Sequence, residues 1–326
     1  MKGLEMRDVP VAKGSANLVV PLGAVVWLGM AVGTWSGWPR LGVIELLFLL
    51  APWIVVPLAT SLIPSLDSSV SPAGQRPALR WVIFAAATLA TISFFLPTGI
   101  LAASLAGAWL LVCAAFALGG LRRLWRYRAQ SFSQFCFAVG EGYLIVGGAW
   151  LVASRLGIQP VGFQEPIVLL TAVHFHFAGF LSAVLAGLTY ERLRDIRWSK
   201  PLRAALAGVV VGPGLLGLAF LVGPKVKLAA VMLIVAGQFG LAAGMVRVAM
   251  DAANPVGRTM LLLSSGCVVA GMVLAGTWAL GEYPLQPFVD LGRMERYHGA
   301  LNAVGFGICG LIGWMNTSRW KETAAA

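Results

Sequence analysis

An all-α bundle of about ten membrane-spanning helices is the fold class this sequence predicts, on three observations. Only 11% of the 326 residues are charged and 59% are hydrophobic, with a mean hydropathy of +0.83. A soluble domain carries about 25% charged residues. Apolar runs of roughly 17–25 residues, long enough to cross the hydrocarbon core, recur along the whole chain. The lysines and arginines fall in short clusters between those runs, as they do when charge orients membrane helices. A closed β-barrel is excluded, because the runs are too long and do not alternate.

The runs follow one another as ten segments. A basic N-terminal tail, residues 1–16, precedes the first, at about 17–38. That run exceeds a signal-peptide core and lacks an A-x-A exit, so no cleavable leader is expected. The second covers about 41–64, and Pro72, Gly74 and Pro77 mark a longer loop after it. The third, about 79–96, turns tightly through Leu96-Pro97-Thr98-Gly99 into the fourth, about 98–119. The fifth runs over about 132–155 and the sixth over about 166–189. The seventh and eighth, about 202–222 and 227–250, carry Gly208/Gly212 and Gly240/Gly244, pairs of the small-xxx-small kind that let helices approach closely. The ninth covers about 258–280. A connection from Glu282 to Tyr297, with Pro284 and Pro287, leads to the tenth, about 299–316, and residues 317–326 form a C-terminal tail. Trp35, Trp38, Trp278, Trp314 and Trp320 lie near span ends, where aromatic belts form.

Alternating the ten segments with the N-terminus inside puts 18 of the 24 Lys and Arg residues in inner loops and 6 in outer ones. That bias predicts both termini on the cytoplasmic side of the membrane. The clusters Arg122–Arg128 and Arg192–Arg203 would also meet anionic headgroups. The formal net charge of +11 does not mean nucleic acid, since no basic soluble domain exists to hold it. Cys113, Cys136, Cys267 and Cys309 sit inside apolar runs and never as CxxC, so they read as packing residues.

Ionisable groups at membrane depth are costly and therefore mark candidate sites. His174 and His176 lie in the sixth run, roughly 12 and 15 Å from its outer end at 1.5 Å per residue. Glu45 is roughly 6 Å into the second run, and Glu141 roughly 20 Å from the outer end of the fifth. His298 opens the tenth, with Asn302 one turn deeper on the same face. All should turn inward rather than face lipid. The histidines pose a geometric problem. Positions i and i+2 point about 200° apart on a regular helix, so both cannot line one narrow face. Either they serve different neighbours, or the helix unwinds near Gly179, or one is functional and the other is a structural hydrogen-bonding residue. Glu141 lies between Gly140 and Gly142, so close helix approach and a structural hydrogen bond compete with a functional role. Glu45 can reach headgroup water, His298 can cap its helix, and Arg247 snorkels at an inner end.

Three strings add a resemblance. Ile44-Glu45-Leu46-Leu47 with Leu50-Ala51-Pro52 and Val56-Pro57-Leu58, then His174-Phe175-His176-Phe177-Ala178-Gly179-Phe180, then His298-Gly299 with Asn302-Ala303 and Gly305-Phe306, occur in that order. Together they resemble the YndJ-like family of bacterial membrane proteins over residues 41–316. The resemblance implies an integral membrane protein, often labelled a transporter, and brings no described substrate or catalytic residue. The residues that carry it, Glu45, His174, His176, His298 and Asn302, coincide with groups singled out by burial cost, whereas Glu141 was singled out by cost alone.

Four functional readings compete. A permease would use the His/Glu set to bind a small solute or ion and to couple protons, since imidazole titrates near physiological pH. The two halves have the parity of an inverted repeat, but the motifs do not recur between them. A redox protein would ligate haem or a metal through His174, His176 and His298, although no CxxCH and no i, i+4 histidine pair is present, so no cofactor is assigned. An intramembrane hydrolase lacks H-E-x-x-H and a G-x-S-x-G elbow. A non-catalytic partner or sensor needs no turnover at all. The lipid bilayer is the one partner the composition requires.

Overall fold

The computed structural model describes residues 19–37, 41–66, 76–127, 131–282 and 290–317. The expected N-terminal tail, residues 318–326 of the C-terminal one, the loop prolines Pro72, Pro284 and Pro287, and Trp38 lie outside the described residues. Among those residues the chain is helical, with no strand, and ten apolar helices form the body. They are α1 Val19–Trp35, α2 Val43–Leu62, α3 Pro77–Ser93, α4 Ile100–Tyr127, α5 Phe132–Leu156, α6 Ile167–Leu193, α7 Ser199–Val222, α8 Pro224–Asp251, α9 Pro255–Glu282 and α10 Leu291–Thr317. Eight of the ten are long and apolar enough to cross a membrane; α1 and α3 are shorter, at 17 residues each. Each corresponds to one of the ten apolar segments.

The ends follow local chemistry. Ser131 caps α5, its hydroxyl accepting from Gln134 N–H at 3.4 Å. Gly157 ends α5 in the left-handed conformation at φ 77°, with Ile158 N–H donating back to Ala153 O at 3.1 Å. The tenth helix departs from the hydropathy reading. It begins at Leu291 rather than near residue 299, because Asp290 caps it and accepts from Arg293 N–H at 2.9 Å. Arg293, Glu295 and Arg296 hide that first stretch from any hydropathy window, yet charge does not prevent helix formation.

α2 and α6 occupy the centre. Their apolar windows are 72% and 67% buried, against 39–50% for the other six long helices. α6 packs against α5, α7, α8, α2 and α10. α4 and α5 pack along their length as an antiparallel pair, where a methyl group on Gly148 would lie 3.2 Å from Cys113 Sγ. The glycines of α7 and α8 do what their spacing predicts: a methyl group on Gly208 would lie 3.1 Å from Leu233 O. Gly237 is tighter still, with Val209 N at 2.8 Å and Ala205 O at 2.9 Å from the added carbon. Backbone cannot yield as a side chain can, so Gly237→Ala is expected to cost about 1–3 kcal/mol by forcing α7 from α8. A thermal unfolding midpoint unchanged in detergent micelles would contradict that close approach.

Three of the helices are not regular throughout. Wide π turns occur at Ala51–Val55 in α2, Phe175–Leu181 in α6, and Met294–His298 and Leu301–Ile308 in α10. In α2 the cause is visible in the sequence: Pro52 and Pro57 each remove a ladder donor, and Val56 N–H reaches back to Ala51 O instead. In α6 and α10 neighbouring serines absorb the irregularity. Ser182 hydroxyl donates to Phe177 O at 3.1 Å, and Ser264 of α9 donates to Phe306 O at 2.8 Å. Each of the three strings that carried the family resemblance contains or abuts a π turn. Such turns are frequent at functional sites.

Candidate functional site

The six polar residues expected to form one centre fall into three places. The first is at the end of the bundle where α2, α6 and α10 begin and α5 finishes. There His174 and His298 face each other across α6 and α10, with ring centroids 6.4 Å apart and planes 25° from parallel. His174 Nδ1 lies 2.7 Å from Leu170 O, and His298 Nδ1 lies 2.9 Å from Gly271 O of α9. A carbonyl only accepts, so both Nδ1 atoms carry the proton and both Nε2 atoms keep a lone pair. Among the described residues neither Nε2 has a hydrogen-bond partner. Asn302 Nδ2 donates to His298 O at 2.8 Å and lies 3.2 Å from its Nδ1, fixing the ring from below. Gly271 is required here, since a methyl group on it would collide with the Asn302 amide.

Charged groups lie at the same end of the bundle. A methyl group on Gly299 would lie 2.6 Å from Leu47 Cδ1, so the Glu45 turn of α2 abuts the His298 turn of α10. Glu45 is half-buried and within Coulombic reach of Glu295 on α10 and of Arg155 on α5. Arg155 also feels Glu165, donates to Leu96 O at 2.9 Å, and lies 5.1 Å over the Phe94 ring. His174 is exposed, while His298 and Asn302 are half-buried.

The second place is His176, at 0% exposure. Its Nδ1–H donates to Ala172 O at 2.8 Å and its Nε2 accepts from Trp109 Nε1–H at 3.0 Å. Phe48 meets the ring edge-on at 5.2 Å, Trp109 stacks at 6.0 Å, and Cys113 Sγ approaches Nε2 to 3.9 Å. Both ring nitrogens are engaged, and His176 does not join His174. The i, i+2 spacing sends the two imidazoles to different neighbours, one of the outcomes it allows.

The third place is near the opposite end. Glu141 Oε2 accepts from Arg123 Nε at 3.2 Å, both residues being buried. Arg123 Nη1 donates to Gln134 Oε1 at 2.6 Å and Nη2 to Pro64 O at 3.0 Å, so the guanidinium ties α4 to α5 and to the end of α2. Glu141 is thereby separated from the histidines and serves as one half of an ion pair.

Five partners escaped sequence reasoning. Arg123 sat in an arginine cluster assigned to topology and to anionic headgroups, and nothing in its context marked it as buried. Gly271, Glu295 and Arg155 carried no local signal either. Trp109 did carry one: it sits mid-helix, away from the membrane interfaces where tryptophan usually lies, which asks for a buried N–H acceptor. Among the described residues no group of three or more His, Cys, Asp or Glu is arranged to hold a metal ion, and all four cysteines are free thiols.

A family model described as YndJ-like protein matches residues 46–306, which takes in His174, His176, Glu141, His298 and Asn302 and begins one residue after Glu45. The Bacillus subtilis (strain 168) protein named "Uncharacterized membrane protein YndJ" is 28% identical over 207 residues, covering 63% of this chain and 37% of that protein. The match thus spans little more than a third of the relative's length. No solved structure matches the chain. With ten apolar helices and a family model covering most of its length, the chain is a multi-pass bacterial membrane protein and belongs to the YndJ-like family.

Proposed function

We propose that the protein is a permease that binds a small solute or ion around His174, His298, Asn302 and Glu45, with proton movement coupled to that site. The observation that supports this most is the facing imidazole pair with two open Nε2 lone pairs. Imidazole is the side chain whose ordinary titration lies nearest physiological pH, and polar groups at membrane depth mark candidate sites. The π turns beside both rings add support, since locally widened helices frequently accompany function. Both termini then lie in the cytoplasm, as the 18 to 6 distribution of Lys and Arg favours, and the site opens to the outer face of the inner membrane. His176 and the Arg123–Glu141 pair hold the bundle around the site.

The test is proton flux into proteoliposomes loaded with a pH-sensitive dye, across an imposed pH gradient and with candidate solutes added in turn. His174→Ala and His298→Ala are each expected to reduce flux at least about tenfold, the effect of losing about 1.4 kcal/mol of site interaction. Flux equal to wild type in both variants, for every solute tried, removes the transport role from this pair.

A further inference from the structure

Tyr143 lies on α5, two residues beyond Glu141, and belongs to none of the three polar groups described above. Its hydroxyl enters the backbone ladder of α7. It donates to Val210 O at 2.9 Å and accepts from Gly214 N–H at 3.1 Å. Those two backbone groups are the partners of a single i→i−4 rung in an uninterrupted helix. The rung is the one directly after Pro213, which lacks an N–H and crowds the carbonyl of Val209. A side chain inserted at such a point is a recognised cause of helix bending. Gly214 leaves the necessary room, since a methyl group there would lie 3.0 Å from the Tyr143 hydroxyl.

The same side chain touches the π turn of α6. The Tyr143 ring meets Phe175 at 5.5 Å, tilted by 45°. A methyl group on Gly179 would lie 2.9 Å from Tyr143 Cβ and 3.0 Å from its Cγ, so α6 rests on the tyrosine there as well. Phe175 in turn approaches α7 at Gly217, where an added methyl group would meet its Cζ at 4.0 Å. Phe175 is the first residue of the π turn and follows His174 directly. One phenol therefore occupies the weak point of α7 with its hydroxyl and the weak point of α6 with its ring.

We infer that Tyr143 is a positioning residue that couples the proline break of α7 to the orientation of His174. Bending α7 at Pro213 shifts Val210 O and Gly214 N–H relative to each other, and the hydroxyl held by both must follow. The ring then moves against Phe175 and Gly179, and the adjacent His174 turns with the π turn. This rests on the proposed role of the His174–His298 pair for its functional meaning, but the coupling itself is a property of the fold.

The chain has three histidines, so isotope-labelled imidazole gives three signals to follow by nuclear magnetic resonance. Their assignment comes from His174→Ala, His176→Ala and His298→Ala. In the full-length protein in nanodiscs, Tyr143→Phe keeps the ring and removes the hydroxyl. Two changes are expected: loss of the wild-type His174 signal in favour of a shifted one, and backbone hydrogen exchange about tenfold faster in the α7 peptide holding Gly214, as for one lost hydrogen bond. Pro213→Ala is the second variant. It repairs the ladder, closes Gly214 N–H onto Val210 O and expels the hydroxyl, and it is expected to move the His174 signal too. A His174 signal that stays in place in whichever of the two variants folds overturns the coupling, and so does unchanged α7 exchange in Tyr143→Phe. Neither readout involves flux, so a failed transport assay and a failed coupling test remain distinguishable.

Discussion

Replacement of His176 by alanine is expected to destabilise the protein by about 3–5 kcal/mol, whereas the same change at His174, two residues away, costs under about 1 kcal/mol. The His176 ring is inaccessible and is wedged between Phe48, Trp109 and Cys113. Removing it opens a cavity that α5 cannot close quickly, because Gly147 already lies against the ring. A methyl group on Gly147 would sit 2.6 Å from His176 Nδ1. The cavity is only part of the cost. Trp109 Nε1–H loses its acceptor at 0% exposure, and an orphaned buried donor adds about 1–3 kcal/mol. His174 has neither penalty, being exposed and hydrogen-bonded, among the described residues, only to the carbonyl four residues back. Unfolding of the two variants in mixed micelles, followed by tryptophan fluorescence, separates them. Equal losses would mean that the two imidazoles do not divide into one structural and one open residue.

Breaking the Arg123–Glu141 pair one side at a time is expected to be the other large effect. Arg123→Met should cost about 3–5 kcal/mol, because it leaves a buried carboxylate without its cation and frees Gln134 and Pro64 O as well. Glu141→Leu should cost a similar amount by leaving the guanidinium uncompensated. The double variant Arg123→Met/Glu141→Leu should lose less than either single change, since the desolvation of both charges is then avoided. A double-mutant cycle on unfolding free energy measures this directly. Additive losses would show that the two residues do not act as a buried pair.

The sequence marked residues that are expensive at membrane depth but could not say what each was for. Glu141 and the histidines stand out in apolar runs because a polar group in hydrocarbon is costly wherever the chain goes, and that is a local property. Whether the cost is met by a partner is not local. Trp109 and His176 are 67 residues apart, His298 and Gly271 are 27 apart, and Arg123 and Glu141 are 18 apart. The sequence also placed Glu141 at similar depth to His176, yet depth is one coordinate of three. Facing direction around α5 sends the carboxylate to α4, not to α6.

The start of α10 shows the same boundary between local and non-local information. A hydropathy window stops near residue 299, while the Asp290 cap is a short-range signal that lies nine residues before it. The π turn of α2 was legible in Pro52 and Pro57, whereas those of α6 and α10 have no proline within them and depend on Ser182 and on Ser264 from a neighbouring helix.

By itself, then, the amino-acid order determined ten apolar helices, the bias of basic loops and the short roster of polar residues that membrane depth cannot ignore. Hydrocarbon length and the energy of charge transfer act on each segment separately, so they can be read from the segment. Tertiary packing decided which of those residues are satisfied and which stay open. That choice depends on helix rotation and on widened turns, and both are set by contacts between segments far apart in the chain.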